Sequence, residues 1–450
     1  MPLPSYSEQI KTHLAGGPMP ARPLGERLGV SQPTVSRALA TLGEEVVRLG
    51  AARSIQYALR DALRGLPDIA VYRVDVQGQI SVLGILVPVR PEGFVMRETG
   101  GGTLHSDGLP WWLYDMRPQG YLGRAYALRH GGQQGLPPRL ADWSDTHALR
   151  ALMAHGHDLV GNLLLGEQAR NDFLAAPLPE PIALTDKPAV YARRAHEAAQ
   201  GELPPGSSAG GEQPKFTAYA DTPDGPRHVI VKFSEPEAGP VSERWRDLLQ
   251  AEHLTLETLR EAGVPAARTR LVDHAGQRFL EVERFDRVGE RGRRGVLPLT
   301  ALDAEFVGAG NTGWANITSR LAAQGQIQAE AARLAALLWA FGRLIGNTDM
   351  HNGNLSFITE QGRPYDLAPA YDMTPMAFAP RSGGGLPDTL RPADLHASVD
   401  NATWHRAAAL ARTFQRRLAQ TRSWQPRFQP CIDALGQHLD RAEDSIARLA

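Results

Sequence analysis

Residues 345–357, IGNTDMHNGNLSF, decide how this chain is read. Asp349 and Asn354 stand five residues apart, a spacing that lets one loop present a carboxylate and a neutral amide oxygen side by side. Phosphoryl transfer needs that combination: a carboxylate to orient and deprotonate the attacking hydroxyl, and an oxygen ligand a few ångströms away for a magnesium ion. The pair alone arises often by chance, so the reading depends on what surrounds it.

Working outward, four further elements fall in the order of a protein kinase, whose catalytic loop has the same Asp-to-Asn spacing. Upstream, PGSSAGGEQPKFTAYA (205–220) places small residues ahead of a strand-like run, where backbone N–H groups can approach phosphates. Twenty-one residues beyond Gly211, HVIVKFS (228–234) sets Lys232 inside an apolar strand. A lysine there is costly to bury unless it meets anions, which ATP phosphates supply. Glu252 then opens the helical run EHLTLETLREAG (252–263), within reach of Lys232, and DLAPAYDMTP (366–375) offers Asp372 as a second magnesium ligand. Singly, these are a plain loop, a snorkelling lysine, a solvated glutamate and a turn cap. In order, they imply an α+β, bilobal kinase-like fold with a mixed β N-lobe at 176–295 and a helical C-lobe at 296–450.

Those residues resemble the HipA-type serine/threonine kinases of bacterial toxin–antitoxin systems. The resemblance runs from about residue 67 to the end and rests on SAGGEQPK (208–215), Lys232, VERFDR (282–287), GNTDMHNGN (346–354) and YDMTP (371–375). With the N-terminal segment described below, the chain is most similar to the longer, YjjJ-like branch. The resemblance implies that Gly210, Gly211, Glu212, Gln213 and Lys215 form the nucleotide loop and that Lys232, paired with Glu252, holds ATP phosphates. It implies a hinge at Glu283, Arg284 and Phe285 that meets adenine, Asp349 as catalytic base, and His351, Asn354 and Tyr371 lining the nucleotide. Asn354 and Asp372 would bind Mg2+. Ser208 stands where the family carries a serine that becomes autophosphorylated and silences the enzyme. The substrate class by family analogy is an aminoacyl-tRNA synthetase. Residues 66–175 would be the family's small N-terminal subdomain, closing with HDLVGNLLL (157–165). One departure is LPLTALDAEF (297–306), where many relatives carry an H-x-E-D-type motif.

The N-terminal 65 residues have a different grammar. In LGERLGVSQPTVSRALATL (24–42), Leu24 and Leu28 share a helix face and Gly29 ends that helix. Ser31 is placed as the next N-cap, Pro33 fits a first turn, and Val35, Leu39 and Leu42 bury one stripe. Gln32, Thr34, Ser36 and Arg37 face outward, a helix-turn-helix reader for double-stranded DNA. VVRLGAARSIQY (46–57) reads as a hairpin wing with Arg48 and Arg53 at phosphate height. This segment holds eight Lys/Arg against five Asp/Glu. A helical hairpin that only packs on the rest of the chain, or a winged fold serving protein contacts, stays open beside the DNA reading. A palindrome-reading protein of this kind would be a homodimer. Because the DNA-binding part is fused here, a self-contained module and a chain that meets a separate antitoxin both stay open.

Composition fits this picture. The formal net charge of −1 over 450 residues gives no global pull toward nucleic acid or anionic lipid, so a nucleic-acid partner must meet a local patch. Cys431 is the only cysteine, which excludes an intramolecular disulfide framework and suits a cytoplasmic protein. The longest near-apolar run, 334–342, is far short of the roughly 20 residues a bilayer span needs, so no membrane association is expected. Residues 66–165 carry β-branched alternation in IAVYRVDVQGQISVLGILVPV (69–89) followed by a Gly-rich aromatic stretch at 100–124, and APLPEPIAL (176–184) reads as a linker. RVGERGRRG (287–295) reads as a mobile basic loop. Two other functions compete with the protein kinase: a transcription factor whose kinase-like half only senses nucleotide, and a small-molecule phosphotransferase.

Overall fold

The computed structural model describes residues 5–51, 54–200 and 213–449. It begins with helices α1 (Tyr6–Leu14), α2 (Ala21–Leu28) and α3 (Gln32–Leu42), followed by the antiparallel hairpin β1 (Val46–Leu49) and β2 (Gln56–Leu59). Ile10, Leu14, Leu24, Val35, Leu39 and Leu42 form the helical core, as the i, i+4, i+7 spacing requires. Gly29 ends α2 in the left-handed region, at φ 65°, which a side chain would oppose. Ser31 precedes α3 but caps no backbone N–H; its hydroxyl instead shares a 3.1 Å hydrogen bond with Thr34 Oγ1. The hairpin's buried face, Val47, Leu49 and Ala58, packs on Val87, Val89 and Val95 of the next domain.

That domain is a five-stranded antiparallel sheet in the order β6-β5-β4-β3-β7, built from β3 (Ile69–Val74), β4 (Ile80–Val89), β5 (Gly93–Glu98), β6 (Thr103–Ser106) and β7 (Leu163–Leu165). Helices α4 (Gly120–His130) and α5 (Asp145–His155) fill the long connection from β6 to β7, and α6 (Gly166–Ala175) follows β7; α5 packs on the face of Val71 and Leu165, α6 on the face of Tyr72 and Leu164. A short 3-10 turn, Trp111–Met116, leads into α4.

After the coil at 176–181, α7 (Lys187–Ala199) packs on a four-stranded antiparallel sheet in the order β10-β11-β9-β8: β8 (Lys215–Ala220), β9 (Arg227–Phe233), β10 (Thr269–His274) and β11 (Gln277–Glu283). Between β9 and β10 runs α8 (Pro240–Glu261). Its Leu249 joins Leu280 and Val282 of the sheet, while Leu248, Ala251, Leu256 and Leu259 enter the helical core, so one helix welds the two lobes. Glu252 therefore lies mid-helix rather than opening a helix as expected, because Pro240 sets the start twelve residues earlier. The C-lobe comprises α9 (Leu299–Phe306), α10 (Trp314–Ala323), α11 (Ala329–Leu344), α12 (Asn401–Gln420) and α13 (Gln429–Ile446), with a small sheet of β14 (Val296–Pro298), β15 (Ser356–Ile358) and β16 (Asp366–Leu367).

The expected mobile loop at 287–295 is instead a buried hairpin, β12 (Arg287–Val288) against β13 (Gly292–Arg293). Arg287 and Arg293 are 9% and 5% exposed, so their charges face carboxylates rather than water. No helix among the described residues is long and apolar enough to cross a membrane.

Candidate active site

β8 and β9 bring Lys215 and Lys232 directly opposite each other. Like charges in that register repel, so the pair needs anions between or beside it. Lys232 Nζ donates to Glu252 Oε1 at 2.6 Å, a contact buried from water, and also to Asp372 Oδ1. Burial alone would pull the Lys232 pKa down, but Asp372 and Glu252 reverse that and hold the amine protonated above its ordinary range. Burial would likewise raise Asp372, yet Lys232 and Lys215 outweigh it and keep that carboxyl below the usual range. Glu252 is pushed up by burial despite Lys232, and its second oxygen accepts from Thr374 Oγ1 at 3.0 Å. Asp372 adopts φ 53°, an uncommon backbone for a residue with a side chain, and Asn347 Nδ2 donates to its carbonyl at 3.3 Å.

The loop 345–354 follows α11 and lies within electrostatic reach of this cluster. Asn347 Oδ1 accepts from the Asp349 N–H at 3.0 Å, and Asn354 Nδ2 donates to the Asp349 carbonyl at 2.7 Å, so the two asparagines hold the loop's shape. His351 Nδ1 accepts from the Gly353 N–H at 3.0 Å. Tyr371 OH donates to the Gly353 carbonyl at 2.9 Å and lies 2.7 Å from Ser356 Oγ, tying this loop to the one that carries Asp372. Burial raises the Asp349 carboxyl above the usual carboxylate range, with His351 opposing the shift.

A cleft of about 230 Å³ opens between the lobes. Lys215, Lys232, His351, Asn354 and Asp372 line it together with Glu283, Arg284 and Phe285, and the Tyr371 and Phe285 ring centroids lie 5.6 Å apart. The N–H groups of Glu283 and Arg284 are taken by the Arg268 and His228 carbonyls; that of Phe285 has no acceptor among the described residues. Asp349 lines a second cavity of about 250 Å³ with Trp339 and Arg343, and His351 belongs to both. The loop 346–354 thus contributes side chains to both hollows. Among the described residues no three His, Cys, Asp or Glu side chains converge as an all-protein metal site. A magnesium ion would rest on Asp372, Asn354 and a ligand's own oxygens, which fits its preference for hard donors and retained water.

Of the other residues singled out in the sequence, Glu252 supports Lys232 rather than lining the cleft, and Gln213 is not part of its lining. Gly210, Gly211, Glu212, Ser208 and Arg53 lie outside the described residues. Gln32, Ser36, Arg37 and Arg48 are exposed on α3 and β1, with Thr34 half-exposed.

Two features escaped the sequence reading. First, Arg284 and Arg287 both bond the Asp286 carboxylate, at 2.8 and 2.7 Å, while Asp286 accepts from the Gly161 N–H at 3.0 Å and Arg287 reaches Asp158 at 2.9 Å. VERFDR and HDLVGN are therefore two halves of one joint, buried at Asp286 and partly exposed at Asp158, and the arginines hold both carboxyls below the usual carboxylate range. Second, Tyr114, Asp115 and Gln119 of the middle domain reach the cleft. The aromatic cluster WWLYDM was the available signal: Trp111 packs edge-on against Phe306 of the C-lobe at 5.3 Å.

The fold and cleft define a two-lobed, kinase-like protein. Family models agree in detail: residues 66–174 match the YjjJ-like toxin middle domain and residues 207–442 the HipA-like C-terminal domain. The chain is 38% identical over 438 residues to Toxin YjjJ of Escherichia coli (strain K12), covering 97% of this chain and 98% of that one. Among solved structures, HipA from the Shewanella oneidensis MR-1 complex of HipA, HipB and operator DNA superposes with a TM-score of 0.57 at 17% identity, covering 85% of this chain and all of that one. The chain belongs to the HipA-like toxin family, in its YjjJ-like branch.

Proposed function

We propose that this protein is an ATP-dependent protein serine/threonine kinase of the HipA toxin type, with a DNA-binding domain attached. The observation that carries the reading is Lys232, which reaches from the strand lobe to Asp372 of the helical lobe while Glu252 braces it from behind. A buried cation flanked by carboxylates, facing a cleft that also holds Asn354 and His351, suits a polyanion arriving with a divalent cation. Lys232 and Lys215 would hold the phosphates, and Asn354 and Asp372 the Mg2+, which neutralises phosphate charge when bound. From the cavity that Asp349 lines, which shares His351 with the cleft, a serine or threonine hydroxyl oxygen attacks the γ-phosphorus. The bond to the ADP oxygen breaks, and Asp349 takes the hydroxyl proton.

Gln32, Thr34, Ser36, Arg37 and Arg48 would meet duplex DNA, giving a cytoplasmic regulator or growth-inhibiting toxin that works as a homodimer on a palindrome. The Shewanella relative's complex with HipB and operator DNA supports looking for an antitoxin partner here. Ser208 would be the site of silencing autophosphorylation. Transfer from γ-labelled ATP to protein in a cell extract, present with the wild-type chain and absent with Asp349→Asn, tests the reading. Label appearing in a small molecule would replace it with the small-molecule phosphotransferase, and nucleotide binding without transfer would replace it with a nucleotide-sensing transcription factor.

A further inference from the structure

Asp115 is an acid of the cleft that neither the phosphate-binding cluster nor the Asp286 joint employs. Asp115 sits on the 3-10 turn Trp111–Met116 of the middle domain, yet it lines the same cleft as Lys232 and Asp372. The turn is held firmly: Trp111 meets the Phe306 ring at 5.3 Å, and the Arg363 guanidinium lies 5.5 Å from the Trp111 ring. Among the described residues no cation pairs with Asp115, and its one hydrogen bond is a long one, 3.4 Å, from Gln119 Nε2. Burial, with Asp286 nearby, pushes its carboxyl up to about 7. Its electrostatic neighbours are Asp286 and Tyr371, next to the hinge residue Phe285.

A polar group so placed is poorly satisfied until a donor arrives. It also repels phosphates, which the lysines attract, and no lysine is among its electrostatic neighbours. What remains beside Asp115 is the nucleoside, whose hydrogen-bond donors are the exocyclic amine of the base and the ribose hydroxyls. Resting on the nucleotide reading of this cleft, we propose that Asp115 accepts a hydrogen bond from the nucleoside of the bound nucleotide, so that the middle domain completes the site and sets its nucleotide selectivity.

Calorimetric titration of the full chain with the magnesium complexes of ATP, ITP, 2′-deoxy-ATP and 3′-deoxy-ATP tests this. ITP lacks the amine and the deoxy analogues each lack one hydroxyl, so the arms separate base from ribose. At least one analogue is expected to bind the wild type about tenfold more weakly than ATP, the scale of one hydrogen bond to a carboxylate. In Asp115→Ala that gap should close, while Asp115→Asn, which keeps an acceptor oxygen, should retain most of it with an unchanged melting midpoint. Equal binding of all four nucleotides by the wild type overturns the proposal. So does an Asp115→Ala variant that weakens all four alike. A wild type that binds none of them overturns the nucleotide reading itself, and this inference with it.

Discussion

At the scale of single residues, Asp349 and Lys232 make opposite demands on a substitution. Asp349 is exposed, with no cation hydrogen-bonded to its carboxyl among the described residues, so replacing it should spare the fold and remove chemistry. Asp349→Asn is expected to slow transfer by about 10²–10⁴ while Mg-ATP binds as before; transfer at the wild-type rate in the purified variant would end the assignment. Because partial desolvation raises this carboxyl, the base form is lost on acidification earlier than for an ordinary carboxylate. The acid limb of the rate profile should therefore lie above the usual carboxylate range, and a limb within that range would contradict the partial desolvation of this carboxyl. Lys232 is different, since Glu252 is 1% exposed and without the lysine keeps only Thr374. Lys232→Ala should both weaken Mg-ATP binding and destabilise the fold by about 3–5 kcal/mol, the cost of stranding a buried charge. Asp372→Ala should weaken magnesium-dependent ATP binding while Lys232 keeps Glu252 as a partner. Calorimetry and denaturant titration separate these effects, and unchanged affinity in both variants would place the nucleotide site elsewhere.

At the scale of elements, the sequence is legible where chemistry imposes local spacing and silent where pairing is distant. The catalytic loop, the lysine strand and the helix-turn-helix spacing could be read because each signal fits within about twenty residues. The hairpin β12–β13 could not. Its arginines look like a solvated basic run, and one of the two carboxylates that answer Arg287 lies 129 residues upstream, at Asp158. Asp115 was hidden for the same reason: nothing in GLPWWLYDM says that the turn docks beside the hinge. Asp286 holds this joint, accepting from Arg284, Arg287 and the Gly161 N–H at once. Asp286→Ala would leave two buried guanidinium groups without that carboxylate and should cost about 3–5 kcal/mol. Equilibrium denaturation would show it, and wild-type stability would mean that the remaining carbonyl contacts suffice. The sign with pH follows from the depressed carboxyl: the contribution is complete above the ordinary carboxylate range and is lost as pH falls below it.

Across the whole molecule, the N-terminal domain is built into the chain rather than tethered to it. Val47, Leu49 and Ala58 on the hairpin's inner face share a core with Val87, Val89 and Val95 of the middle sheet, and the Gly50 N–H bonds Thr103 Oγ1 at 2.8 Å. An isolated segment would expose that apolar face, so DNA binding is best measured in the full chain. The same packing leaves the other hairpin face outward, and with it Arg48, while α3 turns Gln32, Ser36 and Arg37 to solvent. A net charge of −1 supplies no general attraction, so affinity for duplex DNA has to come from this local surface. Each arginine that touches a phosphate releases condensed counterions on binding, which makes log affinity fall linearly with log salt. The full chain should therefore bind genomic duplex fragments with a clear salt slope. Arg48→Ala and Arg37→Ala should each flatten that slope by about 1 where the side chain meets phosphate, or relax sequence preference at one position where it meets a base. Neither change touches a buried contact, so a loss of binding cannot be traced to unfolding. Fragments that fail to bind at low salt, or slopes that stay unaltered in both variants, would make the exposed faces of α3 and β1 a surface for a protein partner instead.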